Sequence, residues 1–430
     1  MIIIYQFRQK IINFIEDFFV YFFNKFLKIL GFLIVPISMV LSQTPDQIND
    51  ILQILDDQQV QLQVLQQQLD EARQEIISLT TQSETNSNAI DATSDFVVSM
   101  NASSNRTETT IGGYGESHFT RRNSDDDDFS RSDLHRYVMY LNHRFSDSVS
   151  FYSEMEIEHA TTDVGYSRVE QAYIDFAHGD NLFSAGLLLP PVGLLNQTHE
   201  PSTFNTVERN HVEKYIIPTT WSEIGLGWQR FFDNGVSMNT MIHSGLSVPI
   251  SGSSIMNIRR GRQHGGEAIS SKPALTSNWS YTGMPGMTLS ATYQLQTDIA
   301  AGQTSEAIQA QLLEAHGIYQ QGKFGFTALY AKWFLDQNNT LDTYDETQHG
   351  WFIEPSYQMT PRVTLYARYD EVRPQASSQQ FDAFTFGLKL IPLPGVSFKM
   401  GVSDLNYVSE TNKGKDGPIL DLGIGYEFNQ

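Results

Sequence analysis

The chain has 430 residues, of which 40% are hydrophobic and only 18% charged, and it contains no cysteine. Its mean hydropathy of −0.30 means that apolar residues are dispersed among neutral polar ones; this excludes a multi-helix membrane bundle, in which each span needs about 20 consecutive apolar residues. The missing cysteines exclude a disulfide scaffold, thiol catalysis and Cys-based zinc sites, and a net charge of −21 sets the chain against a phosphate backbone, so no nucleic-acid partner is expected.

Residues 1–42 differ from all that follow. Arg8, Lys10, Lys25 and Lys28 precede an apolar run from Ile29 to Leu41. That run has the length of a signal-peptide core and is too short for a comfortable membrane span, while Val40 and Ser42 supply the small residues of a cleavage site. A signal peptide cleaved after Ser42 is expected, with an uncleaved anchor as the alternative suggested by the aromatic stretch Phe18, Phe19, Tyr21, Phe22 and Phe23.

Residues 43–80 carry a heptad. Ile48, Leu55, Leu62, Leu69 and Ile76 fall at one seam position and Ile51, Leu65, Ala72 and Leu79 at the other, interrupted at Gln58. Such a seam is buried only against another helix, and mixed Ile and Leu at both positions leans towards three strands, so a short α-helical coiled coil and a homotrimer are expected. Packing of this helix on its own barrel is the alternative. Residues 81–106, rich in Ser, Thr and Asn, read as a linker.

From Thr109 onward the period changes from 3.5 to 2. In the last such segment Leu420, Leu422, Ile424, Tyr426 and Phe428 alternate with Asp421, Gly423, Gly425 and Glu427. The connections also alternate in length. Seven short turns fall at 146–148, 179–181, 233–235, 282–286, 321–323, 359–361 and 392–395. Eight longer polar connections fall at 121–132, 161–167, 190–220, 247–271, 297–306, 336–348, 374–379 and 410–417. About sixteen antiparallel strands follow, with both ends on the short-turn side. This pattern predicts an all-β transmembrane antiparallel β-barrel over 107–430, set in an outer membrane, with the coiled coil in the periplasm. Trp221, Trp228, Trp333 and Trp351 lie near strand ends, where interface girdles are expected.

A barrel of this size holds water, and its inward residues decide what passes. By alternation the inward charges are Arg136, Arg144, Glu154, Glu156, Glu158, Asp175, Lys332, Glu354, Arg368, Asp370, Lys389 and Lys399. Their signs are mixed, whereas a strongly anion-selective pore calls for a nearly continuous basic ladder. The third long connection carries His199, Glu200, Glu208, Arg209, His211, Glu213 and Lys214 and is expected to fold inward as the constriction; a solvated outer loop or a latch between subunits is the alternative.

Three further signals carry little. The run Gly112–Gly115 lies inside a strand pattern with no helix after it, so it is no phosphate cradle. Asp125 to Asp128 lack calcium-loop spacing and read as a solvated tip rather than a lipopolysaccharide-bridging cation site. Glu154, Glu156 and Glu158 form a ladder rather than the facing pair of a glycosidase. No enzymatic role, cofactor or metal site is expected.

The segments TTIGGYGESHF (109–119), DLHRYVMYLNHRF (133–145), VEQAYIDF (169–176) and THEPSTFNTVERNHVEKYIIPTTW (198–221) resemble the phosphate-selective porins O and P of Gram-negative outer membranes, over nearly all of 109–430. The preceding coiled coil is similar to that of dicarboxylate-type porins. The resemblance implies a homotrimer of sixteen-stranded barrels that pass small hydrophilic solutes, with the third loop inside the pore. A general porin in contact with outer-membrane lipid and lipopolysaccharide is therefore the leading expectation. An anion-specific channel for phosphate or dicarboxylates, and a structural protein tethering the outer membrane to peptidoglycan, are its competitors.

Overall fold

The computed structural model describes residues 107–429 except 162–164, 338–340, 342–343 and 376–378. The expected signal peptide, the seam from Ile48 to Leu79 and the 81–106 linker lie outside the described residues. Sixteen strands follow one another: β1 (Glu108–Arg122), β2 (Phe129–Arg144), β3 (Val149–Glu158), β4 (Ser167–His178), β5 (Asn181–Leu188), β6 (Glu223–Phe231), β7 (Val236–His243), β8 (Ala274–Met284), β9 (Met287–Gln296), β10 (Ala310–Gln321), β11 (Phe324–Leu335), β12 (Thr347–Thr360), β13 (Val363–Arg373), β14 (Phe381–Leu393), β15 (Val396–Tyr407) and β16 (Gly417–Phe428). Each pairs antiparallel with its neighbours, and β1 closes on β16 through Gly113 opposite Phe428 and Arg122 opposite Ile419. Closure leaves no strand edge unpaired, which a sheet facing hydrocarbon requires.

The faces have the inverted polarity of a membrane barrel. Outward positions include Leu226 (64% exposed), Phe324 (67%), Phe384, Phe386 and Leu289, while Glu116, Arg136, Glu154, Thr292, Gln294 and Arg368 are buried on the inside. At Gly112 the close approach of Tyr140 requires glycine: a Cβ there would collide with the phenol ring. Short turns and long connections alternate around the ring, as the spacing of turn residues predicts.

Two bulges, one in β2 and one in β4, alter which residues face inward. Between β1 and β2, Glu116 opposes Arg136 and Ser117 opposes Leu134, so His135 is an extra residue. Between β3 and β4, Glu154 opposes Gln171 and Met155 opposes Val169, so Glu170 is extra. An extra residue reverses the phase of everything beyond it. Glu170 is thereby buried while Val169 is exposed on the outer face.

The interior is not uniformly wet. The long connections 189–222, 244–273 and 297–309 send Val192, Val212, Ile216, Ile217, Trp221, Leu246, Val248, Met256, Ile258, Ile299 and Ile308 against Leu312, Leu329, Trp333, Phe352, Val372 and Phe381 of the wall. Trp221 and Trp333, expected in an interface girdle, belong to this core instead, where Trp333 Nε1 donates to the Ile216 carbonyl at 3.0 Å. They lie near strand ends, but on the inner face. The connection 244–273, which sequence reads as a polar connection over 247–271, also turns inward because Met256 and Ile258 must be covered.

Candidate functional site

The third long connection, 189–222, crosses the bore and is tied to both walls. On the β1–β4 side, His199 Nε2 lies 2.8 Å from Tyr114 Oη and 3.3 Å from Glu170. Arg136 donates to the His199 carbonyl and, through Nε, to Glu116 at 2.6 Å. His118 Nδ1 lies 2.9 Å from Glu208, and Arg168 donates to Thr220 Oγ1 and Glu156, both at 3.0 Å. On the opposite side, Asn205 donates to Glu354 at 2.9 Å, Arg368 to Thr206 Oγ1 at 2.9 Å and to Asp370 at 2.8 Å, and the His211 N–H to Asp370 at 3.1 Å. Lys389 donates to the Ser202 carbonyl, and Lys399 Nζ lies 3.6 Å over the Phe204 ring.

Within the loop a one-turn helix, α1 (Val212–Tyr215), contains Glu213. That carboxylate accepts the Leu195 N–H and the Asn210 amide, both at 2.6 Å. Burial pushes it up to about 7 despite these bonds. Burial also holds His211 down at about 4, outweighing the nearby Asp370. For Glu208 burial works the other way, yet His118 and its neighbours hold the carboxyl well below the usual range. His199 is raised by Glu170 against the effect of burial.

The sequence-derived loop set therefore splits. His199, Glu208 and His211 hold the loop against the walls, and Glu213 holds it together internally. Glu200 lines open space. Arg209 is half-buried and Lys214 exposed, and neither forms an ion pair among the described residues. Of the strand set, Arg136, Glu154, Glu156, Glu354, Arg368, Asp370, Lys389 and Lys399 are buried inside the barrel. Arg144 and Asp175 line the cavity described below, and Glu158 sits at the long-connection end of β3.

Lys332 corrects the alternation. On β11 the inner face is Leu329, Ala331, Trp333 and Leu335, so Lys332 points outward, with its ammonium 4.9 Å from the Phe334 ring. The inner face there is apolar because it packs on the folded-in loops. The lysine instead lies near the strand end, where its stem can cover apolar surface and its head reach water.

Below the loop lies a cavity of about 1110 Å³ that reaches the short turns and is bordered by Arg144, Glu154, Tyr173, Asp175, Glu200 and Lys389 among others. Tyr152 packs on both Tyr140 and Tyr173 along this wall, with centroids 6.4 and 5.4 Å away.

Several interior residues escape the alternation. Glu170 and His135 are bulged, and Arg168 follows the reversed phase. The fold also gathers donor sets that could hold a cation: Asp133, His135 and His159; His118, His135 and Glu208; and Glu154, Glu170 and His199. No metal site is expected from sequence, since these ligands come from four strands and two connections with no common spacing.

No protein-family model matches the sequence. Over 360 residues the chain is 30% identical to an uncharacterized protein of Aquifex aeolicus (strain VF5), spanning 74% of this chain and 79% of that one. Among solved structures it is similar to the anion-selective porin from Comamonas acidovorans, with TM-score 0.57 and 9% identity over 75% of this chain and all (100%) of the other. It is also similar to the outer membrane protein OmpT of Vibrio cholerae in a loop-deletion mutant (TM-score 0.54, 11% identity, 75% and 99% covered). The in-vitro folded trimer form of that protein gives a TM-score of 0.51 at 13% identity, with 75% and 99% covered. At these identities the likeness to solved structures is one of fold.

Proposed function

We propose that this chain, which belongs to one family with the Aquifex aeolicus protein, is an outer-membrane porin that lets small hydrophilic solutes and ions diffuse through a narrowed, water-filled lumen. The observation that carries this reading is the cavity of about 1110 Å³, lined by charged, polar and aromatic side chains, inside a closed barrel and bounded on one side by a loop that crosses the bore. A soluble barrel has no use for an apolar outer face around a charged interior; a membrane channel needs both. In this reading the solute leaves the cavity at Glu200 and crosses the loop, whose half-buried Glu208 and Arg209 and exposed Lys214 are the charges accessible to it. Transport is passive and involves no catalytic group.

The paired wall favours weak selectivity. Arg136, Arg168 and Arg368 each stand within 3.0 Å of a carboxylate, so they present little net field to a passing ion. This argues for a general porin over a phosphate or dicarboxylate channel. A homotrimer is supported by the heptad at 48–79 and by the trimer form of the Vibrio cholerae protein.

Single-channel recording of the folded, unheated protein in a planar bilayer with a salt gradient tests the reading. Large steps in threes with a reversal potential near zero are expected. Small, anion-signed currents blocked by phosphate or a dicarboxylate would replace it with the specific channel, and a folded barrel that gives no current would overturn both. Deleting residues 43–80 should weaken the trimer in native electrophoresis; an unchanged trimer removes the coiled coil from its assembly.

A further inference from the structure

We propose that Asp133, His135 and His159 form a binding site for one divalent transition-metal cation of the zinc class, on the inner wall at the long-connection end of the barrel. One oxygen and two imidazole nitrogens suit Zn²⁺, which takes N and O ligands and leaves a fourth position for water. Asp133 Oδ2 lies 2.7 Å from His159 Nδ1 and 3.4 Å from His135 Nδ1. Those separations bracket the edge of about 3.3 Å of a tetrahedron with bonds near 2.05 Å. The three donor atoms all lie within 4.8 Å of one another.

Two local irregularities bring the donors together. The bulge in β2 supplies His135 as an extra residue, and without it the ring would not share a face with Arg136. His159 begins the connection after β3 with φ of 52°, and Ala160 follows with the same value. Left-handed backbone at two successive non-glycine residues costs free energy that the surroundings must offset, and such strain collects at functional positions. Here it directs one imidazole at Asp133.

The position is open to a soluble ion. The Asp133, His135 and His159 side chains are 32%, 25% and 35% exposed, whereas the donor set at His199 is fully enclosed. His118 stacks on His135 at 4.4 Å and holds Glu208 of the crossing loop. A bound cation thus lies one ring away from the contact that fastens the constriction.

The full-length folded protein titrated with ZnCl2 against a chromophoric chelator tests this. One ion per chain is expected, with His159→Ala and Asp133→Asn each weakening binding by about tenfold or more, and with Asp125→Asn/Asp127→Asn leaving it unchanged. Millimolar Ca²⁺ should not displace the zinc, because an imidazole-rich set discriminates against hard cations. Unaltered binding in His159→Ala, loss on changing Asp125 and Asp127, or no zinc bound by a heat-modifiable barrel would each overturn the site. His159 lies outside the strands, so its replacement leaves the barrel register intact. The readout uses no conductance, so the site fails or stands independently of the porin reading.

Discussion

Arg136 is fully buried, yet its guanidinium is held by Glu116 at 2.6 Å and by the His199 carbonyl, with the Tyr114 ring 5.2 Å away. Breaking such a pair from one side leaves an uncompensated charge, at a cost of about 3–5 kcal/mol. Arg136→Ala should therefore lower the heat-modification temperature and free the crossing loop to protease; an unchanged temperature would show that water already reaches Glu116. Glu213 allows a prediction with a sign. Its native carboxyl titrates near 7, above the ordinary 4.5, so the folded loop holds the proton more tightly than the unfolded chain. Its contribution is favourable below about pH 4.5 and is lost as pH rises towards 7. His211, held down at about 4, acts oppositely as pH falls below 6.5. The comparison that isolates Glu213 is with Glu213→Gln, whose loop should gain protease resistance relative to the native protein between pH 5 and 7. A difference that stays constant over that range would refute the assignment.

At the scale of elements, the sequence makes the connections most legible. Asp233–Gly235 or Pro392–Gly395 turns a chain by its own backbone preference, and such local chemistry needs no partner. The closed ring of sixteen strands follows from those turns and the period of two. What alternation cannot show is where it breaks. The residues at 135 and 170 become extra only when the neighbouring strand's register is known, so Glu170, Arg168 and the histidine cluster stay hidden. Lys332 is misplaced for a related reason: polarity marks the inner face only where that face meets water, and β11 meets an apolar loop core. The length and charge of the third long connection are legible, but they leave an inward fold, an outer loop and a latch all open, and its grip on both walls is not legible at all. If the 198–209 portion narrows the bore while Val212 to Trp221 serve the core, replacing 198–209 by a short Gly-Ser linker should raise conductance severalfold and keep the heat-modifiable barrel. Equal conductance would move the constriction elsewhere.

For the whole molecule, a net charge of −21 says little about selectivity, because Arg136, Arg168 and Arg368 of the wall each stand against a carboxylate. Arg368 has Asp370 at 2.8 Å and Glu354 at 3.5 Å; its field falls off as that of a compact multipole, and its removal chiefly loosens the loop through Thr206. Arg209 and Lys214 have no such partners among the described residues, and the first is half-buried and the second exposed. An ion at about 5 Å from an unpaired charge in wet surroundings feels an energy on the order of 1 kcal/mol, enough to bias cation against anion several-fold. Arg209→Gln/Lys214→Gln should therefore move the reversal potential towards cation selectivity by more than Arg368→Gln does, with both variants still folding as barrels. The reverse order would mean that Arg368 faces the moving ion directly, and would restore the anion-specific channel as the better account of this lumen.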